Sequence, residues 1–161
     1  MSLGAGGGRM EVLLLSGPNL GLLGEREPDV YGPDTLANLV EAATAEAESL
    51  GMGLRHVQSN HEGDLVDAIH AARGVAAGIV INPGALTHYA WSLHDALAAF
   101  DGPVIELHLS NPAVREGWRH LSVVASIATG TVAGLGAAGY PVAIAAVARL
   151  IGLAGERGAG R

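Results

Sequence analysis

Residues 15–32 carry three side chains whose types suit acid–base chemistry or anion binding, namely Asn19, Arg26 and Tyr31. Tyrosine normally loses its proton near pH ~10, and a neighbouring cation favours the tyrosinate, which is a strong base. The alternative is that Tyr31 packs in the interior while Arg26 is solvated. The spacing alone leaves both interpretations open.

Glu106 and His108 form a second pair that could take part in catalysis. The surrounding residues 103–109 alternate enough to predict a strand, on which residues two apart share a face. A carboxylate beside an imidazole orients the ring and favours its protonated form, as a general acid requires. A purely structural Glu–His contact is the alternative for this pair.

The surrounding segments predict the strands and helices that must position these residues. Strands are expected at 12–15, 53–58, 77–81 and 103–109, with a fifth strand or extended segment at 121–124. Helices are expected at 36–50 after the N-cap Thr35, at about 65–72, 88–100 and 114–118, and at 139–153. The glycines and prolines of residues 15–32 predict a long flexible loop, a type that often covers a site.

Strands that alternate with helices indicate a three-layer α/β domain with a mainly parallel sheet. Ligands of such sheets bind beyond the carboxyl ends of the strands. The residues that follow the predicted strands should therefore share one edge, and they include Asn19, Asn82, Gly84, His88, His108, Leu109 and Ser110. For Asn82, the capping of a turn is an equally good interpretation.

Three charged residues extend this edge. Arg115 and Arg119 lie four apart on one face of the predicted short helix, so one of them could reach the site, although an exposed arginine is the commoner outcome. The N-terminus of that helix, at residues 110–112, would present free N–H groups and a dipole to a carboxylate. Asp95 lies seven residues after His88, so one helical face could carry both. A solvated Asp95 is the alternative.

Composition narrows the domain organisation and the partners. The 161 residues suit one catalytic domain at 11–153, between a disordered extension at 1–10 and a flexible tail at 154–161. A net charge of −7 without any Lys/Arg run disfavours nucleic-acid binding. The absence of cysteine excludes disulfides and fits a cytoplasmic protein, and no apolar run predicts a membrane span.

Cofactor sites are also disfavoured. The seven histidines lack the spacing of a metal site. Residues 134–139 match G-x-G-x-x-G, but the chain ends about where the second strand of a dinucleotide site should begin. These glycines are therefore interpreted as close packing or loop geometry.

An N-terminal signature and four further motifs closely resemble those of type II 3-dehydroquinate dehydratase. They are SGPNLGLLGEREPDVYG at 16–32, QSNHEG at 58–63, NPGALTH at 82–88, ELHLSNP at 106–112 and the glycines of 134–140. The resemblance spans about residues 11–152. It implies a flavodoxin-like fold with a five-stranded parallel sheet of order 2-1-3-4-5, and dehydration of 3-dehydroquinate to 3-dehydroshikimate in the shikimate pathway or in quinate catabolism.

The same resemblance implies the site residues. Tyr31 would be the tyrosinate base, which Arg26 stabilises by its charge. Asn19 would help a bound water to stabilise an enolate oxygen. His108, oriented by Glu106, would protonate the departing hydroxyl. The substrate would be held by Asn82, Gly84, His88, Leu109, Ser110 and Arg119.

The resemblance further implies an assembly without metal or organic cofactor. The family forms dodecamers built as four trimers, and Asp95 would reach the site of a neighbouring subunit. Some positions differ from the family pattern: Ser16 stands where Asn is more usual, and Ala113-Val114 and Gly117-Trp118 replace His-Ala and Glu-Phe. None of these is a proton-transfer residue.

A non-catalytic flavodoxin-like domain that binds a small ligand is the alternative function. Its flavin-binding form would require stacking aromatics and a Ser/Thr-rich phosphate loop after the first strand, and Gly17-Pro18-Asn19 is not such a loop. An inactive homologue is a third interpretation. The presence of all five residues with implied catalytic roles argues against it.

Overall fold

A parallel sheet of five strands forms the centre of the computed structural model, which describes the backbone of residues 8–159 and the side chains of residues 8–152. The strands are β1 (Glu11–Ser16), β2 (Gly53–Gln58), β3 (Gly78–Asn82), β4 (Val104–His108) and β5 (Gly130–Ala133). Their spatial order is β2-β1-β3-β4-β5, and each neighbouring pair is parallel. The predicted flavodoxin-like sheet order is therefore confirmed.

Helices cover both faces of the sheet. Helices α2 (Leu36–Ser49) and α5 (Gly139–Ala159) pack on one face, and α3 (Glu62–Ala72) and α4 (Trp91–Ala98) pack on the other. Strand β1 supplies alternate side chains to the two cores, because Val12 and Leu14 lie in one cluster and Leu13 and Leu15 in the other. Burial on both faces explains the continuous apolar run of this strand.

The loop after β1 contains short helical turns rather than irregular chain alone. Leu20–Leu22 forms a 3-10 turn and Pro28–Tyr31 forms the one-turn helix α1. Helix α2 then begins where predicted, since Thr35 and Asn38 form a capping box with bonds of 3.3 and 3.0 Å. Leu20 and Leu23 are buried in the core, so they anchor this loop on the sheet.

Two secondary-structure predictions in the C-terminal half of the chain were wrong. The fifth strand is Gly130–Ala133, whereas residues 121–122 are irregular and residues 123–127 form a turn. Val123 and Val124 in this turn are buried in the core, which accounts for their strand-like pattern. The helix predicted at 114–118 consists of two separate 3-10 turns, Pro112–Val114 and Gly117–Arg119. Gly117 is a poor helix former and starts the second turn. Residues 110–112 therefore do not present the dipole of a helix to a ligand.

Two helix boundaries also differ from the prediction. The helix expected at 88–100 begins at Trp91, because Gly84–His88 forms a 3-10 turn. Helix α5 continues to Ala159 rather than ending at residue 153. Residues 1–7 of the predicted extension and residues 160–161 of the predicted tail lie outside the described residues.

The glycine-rich segment before α5 has the loop geometry that the sequence predicts. Gly134 and Gly136 have φ values of 82° and 57°, which favour glycine. A Cβ on Gly134 would lie only 3.1 Å from the Cβ of Asn111. Within residues 8–159, no helix is long and apolar enough to cross a membrane, and no three His, Asp or Glu side chains group as metal ligands would.

Candidate active site

The carboxyl ends of β1 and β3 form one side of the site. Ser16 is level with Asn82 in the sheet, and the Gly17 N–H donates to the carbonyl of Asn82 at 2.8 Å. A Cβ on Gly17 would lie 2.4 Å from the carbonyl oxygen of Pro83, so this approach requires glycine. The loop that follows β1 therefore starts directly beside residues 82–84.

A cavity of about 190 Å³ lies at this edge, between the loop after β1 and the segments that follow β3 and β4. This is the crevice in which ligands of open parallel sheets bind. Ten of the twelve predicted site residues line it: Asn19, Arg26, Tyr31, Asn82, Gly84, His88, His108, Leu109, Ser110 and Arg119. The other two are Glu106 and Asp95.

Glu106 lies behind His108 and is 1% exposed. Its Oε1 is 2.7 Å from Nε2 of His108, and it accepts hydrogen bonds from the hydroxyls of Thr87 at 2.5 Å and Ser122 at 2.8 Å. Burial alone would raise the pKa of Glu106, but these bonds and the charge of His108 lower that pKa below its ordinary value. An ionised Glu106 requires Nε2 to be the donor, which leaves Nδ1 free to exchange a proton with a ligand.

Tyr31 lies between two guanidinium groups. Arg115 Nη1 donates to the Tyr31 hydroxyl at 2.7 Å, and the guanidinium carbons of Arg115 and Arg26 lie 5.3 and 5.4 Å from the centre of the ring. The hydrogen bond to Tyr31 raises the pKa of Arg115 further, so this side chain remains a cation. The Tyr31 hydroxyl therefore accepts a hydrogen bond from a cation at the cavity.

Asn19 has the left-handed backbone conformation that few non-glycine residues adopt, with φ 68°. Its N–H donates to Oδ1 of Asn60 at 3.0 Å. Gln58 Nε2 donates to the same Oδ1 and to the carbonyl of Gly17, at 3.2 Å each. The QSNHEG motif therefore holds the backbone of Gly17 and Asn19 through the side chains of Gln58 and Asn60.

Asn82 both caps a turn and lines the cavity, so the two interpretations of this residue are compatible. Its Oδ1 accepts from the Gly84 N–H at 3.3 Å, and its Nδ2 donates to the hydroxyl of Tyr140 at 3.2 Å. Burial raises the pKa of Tyr140, so its hydroxyl stays neutral. One hydrogen on Nδ2 is left for a ligand.

Ser16, which departs from the family pattern, lies outside the cavity lining. It is fully buried, and its hydroxyl is 2.9 Å from Nε2 of His56 on β2. Burial lowers the pKa of His56 and keeps its ring neutral. The departure is accommodated by a partner from the neighbouring strand.

Asp95 does not line the cavity of its own chain. Its side chain lies on α4 and is 82% exposed, and its Oδ1 is 3.1 Å from Nδ1 of His94. Its contact with a neighbouring subunit stays a prediction.

Arg115 lines the cavity, although the sequence assigned it no role there. The sequence predicted Arg115 and Arg119 on one face of a helix, from which one of them could reach the site, with an exposed arginine as the commoner outcome. Both line the cavity because the chain turns twice after β4 instead of forming a helix. The only available signal was their position shortly after a strand at the site edge.

The chain is similar to known proteins over most of its length. A model of the family described as Dehydroquinase class II matches residues 10–148. A 3-dehydroquinate dehydratase of Bacillus licheniformis is 55% identical over 83% of this chain and 92% of the relative. A catabolic 3-dehydroquinase of Aspergillus clavatus is 55% identical over 85% of this chain and 91% of the relative. A crystal structure of type II dehydroquinase from Propionibacterium acnes matches with a TM-score of 0.83 and 41% identity, covering 88% of this chain and 99% of that one.

Proposed function

The chain belongs to the dehydroquinase class II family and is a 3-dehydroquinate dehydratase, and on that premise we propose that it eliminates water through an enolate with Tyr31 as base and His108 as acid. The main support for this proposal is that Tyr31 and His108 line the same cavity and that each has a charged hydrogen-bond partner. Arg115 donates to Tyr31, and Glu106 accepts from His108.

The first step is removal of a proton from the carbon next to the substrate's ketone. The proton moves to the oxygen of tyrosinate 31, and the electron pair moves onto the ketone oxygen as an enolate. A weak carbon acid requires a strong base, and tyrosinate is stronger than a carboxylate. The cations of Arg26 and Arg115 stabilise the tyrosinate before this step. Asn19 helps to hold a water that stabilises the enolate oxygen.

The second step is departure of the hydroxyl group, anti to the removed proton. The enolate re-forms the ketone as the carbon–oxygen bond of the leaving group breaks. His108 donates the proton from Nδ1 to that oxygen, so the leaving group is water. Glu106 supports this step because a carboxylate at Nε2 stabilises the imidazolium that must be present before the transfer.

The remaining lining residues bind the parts of the substrate that do not react. The backbone N–H groups of Leu109 and Ser110 and the side chains of Ser110 and Arg119 suit the carboxylate. Asn82 and His88 suit the hydroxyl groups, and Gly84 allows close approach beside Asn82. We also propose a dodecamer of four trimers in which Asp95 reaches a neighbouring site. Light scattering that shows a stable monomer would remove this role.

The division of the chain into a catalytic domain at 11–153 with flanking segments also stays a proposal, as does a cytoplasmic location. The relatives do not separate shikimate synthesis from quinate catabolism, because two of the same identity carry names of different kinds.

The test is near-UV absorbance of the purified protein after addition of 3-dehydroquinate with a chelator present. The product is a conjugated enone and the substrate is not, so turnover raises the absorbance. We expect Tyr31→Phe and His108→Ala to lose most of the activity, on the order of 10²–10⁴-fold for a general acid or base. No signal from folded wild-type protein would overturn the proposal, and substrate binding by calorimetry would then favour a binding domain.

A further inference from the structure

Trp118 is a cavity-lining residue to which the proposed reaction gives no role. It lies in the 3-10 turn Gly117–Arg119 and is 56% exposed, yet its ring contacts two of the residues that face the substrate. These are Arg119 and His88. An aromatic side chain with so much exposure gains little from burial, so its contacts are the more informative feature.

The indole ring of Trp118 supports the guanidinium group of Arg119. The guanidinium carbon lies 4.0 Å from the ring centre, which is well within cation–π distance. Arg119 Nε also donates to Oε2 of Glu116 at 2.9 Å. Arginine is a flexible side chain, and these two contacts restrict its orientation. The hydrogen bond uses Nε, so the two terminal nitrogens remain for a ligand.

The same indole ring packs against His88. The two ring centres are 5.2 Å apart and the planes are inclined at 81°, an edge-to-face contact. The Nδ1 of His88 is 2.6 Å from the carbonyl oxygen of Leu121, to which it donates. With Nδ1 used and the ring plane held, Nε2 is the nitrogen left for a ligand.

We propose that Trp118 is a positioning residue for substrate binding, which holds Arg119 and His88 in the orientations that receive the substrate. This inference rests on the proposed function, because it assigns both residues to the substrate. They bind groups that do not react, so loss of their orientation weakens binding of substrate and transition state alike. The effect is expected in KM and not in kcat.

The kinetic test compares Trp118→Ala with Trp118→Phe. We expect the alanine variant to raise KM roughly 10-fold, because it loses the cation–π contact and the ordering of Arg119 that this contact provides. The value of kcat should change by less than about 2-fold. Phenylalanine keeps a ring for both contacts and should restore most of the affinity. Trp91→Phe is the matched control, since Trp91 is similarly exposed and does not line the cavity.

A double-mutant cycle separates positioning from a general structural effect. If Trp118 acts through Arg119, removing the indole in an Arg119→Ala background should raise KM much less than in the wild type. Equal effects in both backgrounds would overturn the proposal. So would an unchanged KM in Trp118→Ala with normal turnover, and in that case the proposed function would stand.

A fluorescence measurement does not depend on turnover. The chain has two tryptophans, so Trp91→Phe leaves Trp118 as the only source of tryptophan emission. In a Trp91→Phe/His108→Ala variant, 3-dehydroquinate should change the emission of Trp118 at saturation. Binding by calorimetry without an emission change contradicts the proposal. Wild-type protein that neither binds nor converts 3-dehydroquinate would instead overturn the proposed function, and the inference with it.

Discussion

The two halves of the site are held in different ways. His108 and Glu106 lie on β4, and the carboxylate accepts three hydrogen bonds in the core. Tyr31 lies at the end of the one-turn helix α1 in a long loop, and its partners are two arginines from separate segments. The side that holds the proposed acid, called the acid side below, is therefore part of the sheet. The side that holds the proposed base, called the base side, is assembled from loops.

This difference suggests different consequences of mutation. A change on the acid side should alter stability as well as rate, because the groups involved are buried and share hydrogen bonds. A change on the base side should alter the rate with little change in stability, because loop contacts contribute less to the core. Each of the following predictions tests this contrast.

Glu106→Gln is expected to have the largest effect. The amide can still accept at Oε1, but it lacks the charge that supports proton transfer by His108 in the proposed mechanism, so kcat should fall roughly 100-fold. Oε2 of Glu106 has no hydrogen-bond partner among the described residues. The amide NH₂ placed there would be an unsatisfied buried donor that costs about 1–3 kcal/mol of unfolding free energy.

Steady-state kinetics and urea denaturation measure the two effects. Glu41→Gln is the control, because Glu41 is exposed on α2. A Glu106→Gln variant that lost activity but kept full stability would show that the acid side is no more integrated into the core than the base side.

Arg115→Met is expected to reduce kcat by roughly 30-fold, within the range for loss of one charged group that stabilises a reacting partner. The methionine replaces the mostly buried stem of Arg115, so the free energy of unfolding should change by less than about 1 kcal/mol. Arg115 donates to the hydroxyl of the proposed base Tyr31, so its loss should appear in kcat.

Steady-state kinetics measure this loss, and Arg119→Met is the comparison. Arg119 also lines the cavity, but it has no hydrogen bond to Tyr31 in the described structure, so its loss should raise KM and leave kcat nearly unchanged. Equal kcat values in wild type and Arg115→Met would contradict the role of Arg115.

Asn60→Ala should have a smaller effect on the base side. It removes the side chain that holds the left-handed backbone of Asn19, and we expect kcat to fall about 5-fold, near the scale of one neutral hydrogen bond. Asn38→Ala is the matched control, because it removes the capping box of α2 and should lower stability without changing kcat. The idea fails if the two variants have the same kcat.

The sequence predicted the sheet and the edge well, because strands buried on both faces leave apolar runs. Asn82 and His108 follow from where such runs end. The region after β4 was predicted poorly because buried turns also contain apolar residues. Val123 and Val124 are buried in a turn, and their sequence pattern resembles that of a strand. The contact of Arg115 with Tyr31 was not predicted because it joins residues 84 positions apart, and no local sequence pattern indicates such a contact.

The acid side also predicts a pH dependence of stability, which should be the smallest effect. The pKa of Glu106 is lowered in the folded state, so its carboxylate stabilises the fold above the unfolded value, about 4.3. The stabilising contribution of Glu106 is lost as the pH falls through the pKa that Glu106 has in the folded protein, which lies below its unfolded pKa. The stability of wild type should therefore fall more steeply than that of Glu106→Gln on acidification from about pH 5, and the gap between them should narrow. Urea denaturation of both proteins at several acidic pH values measures this, and parallel curves would mean that Glu106 is not held as a carboxylate by its three donors.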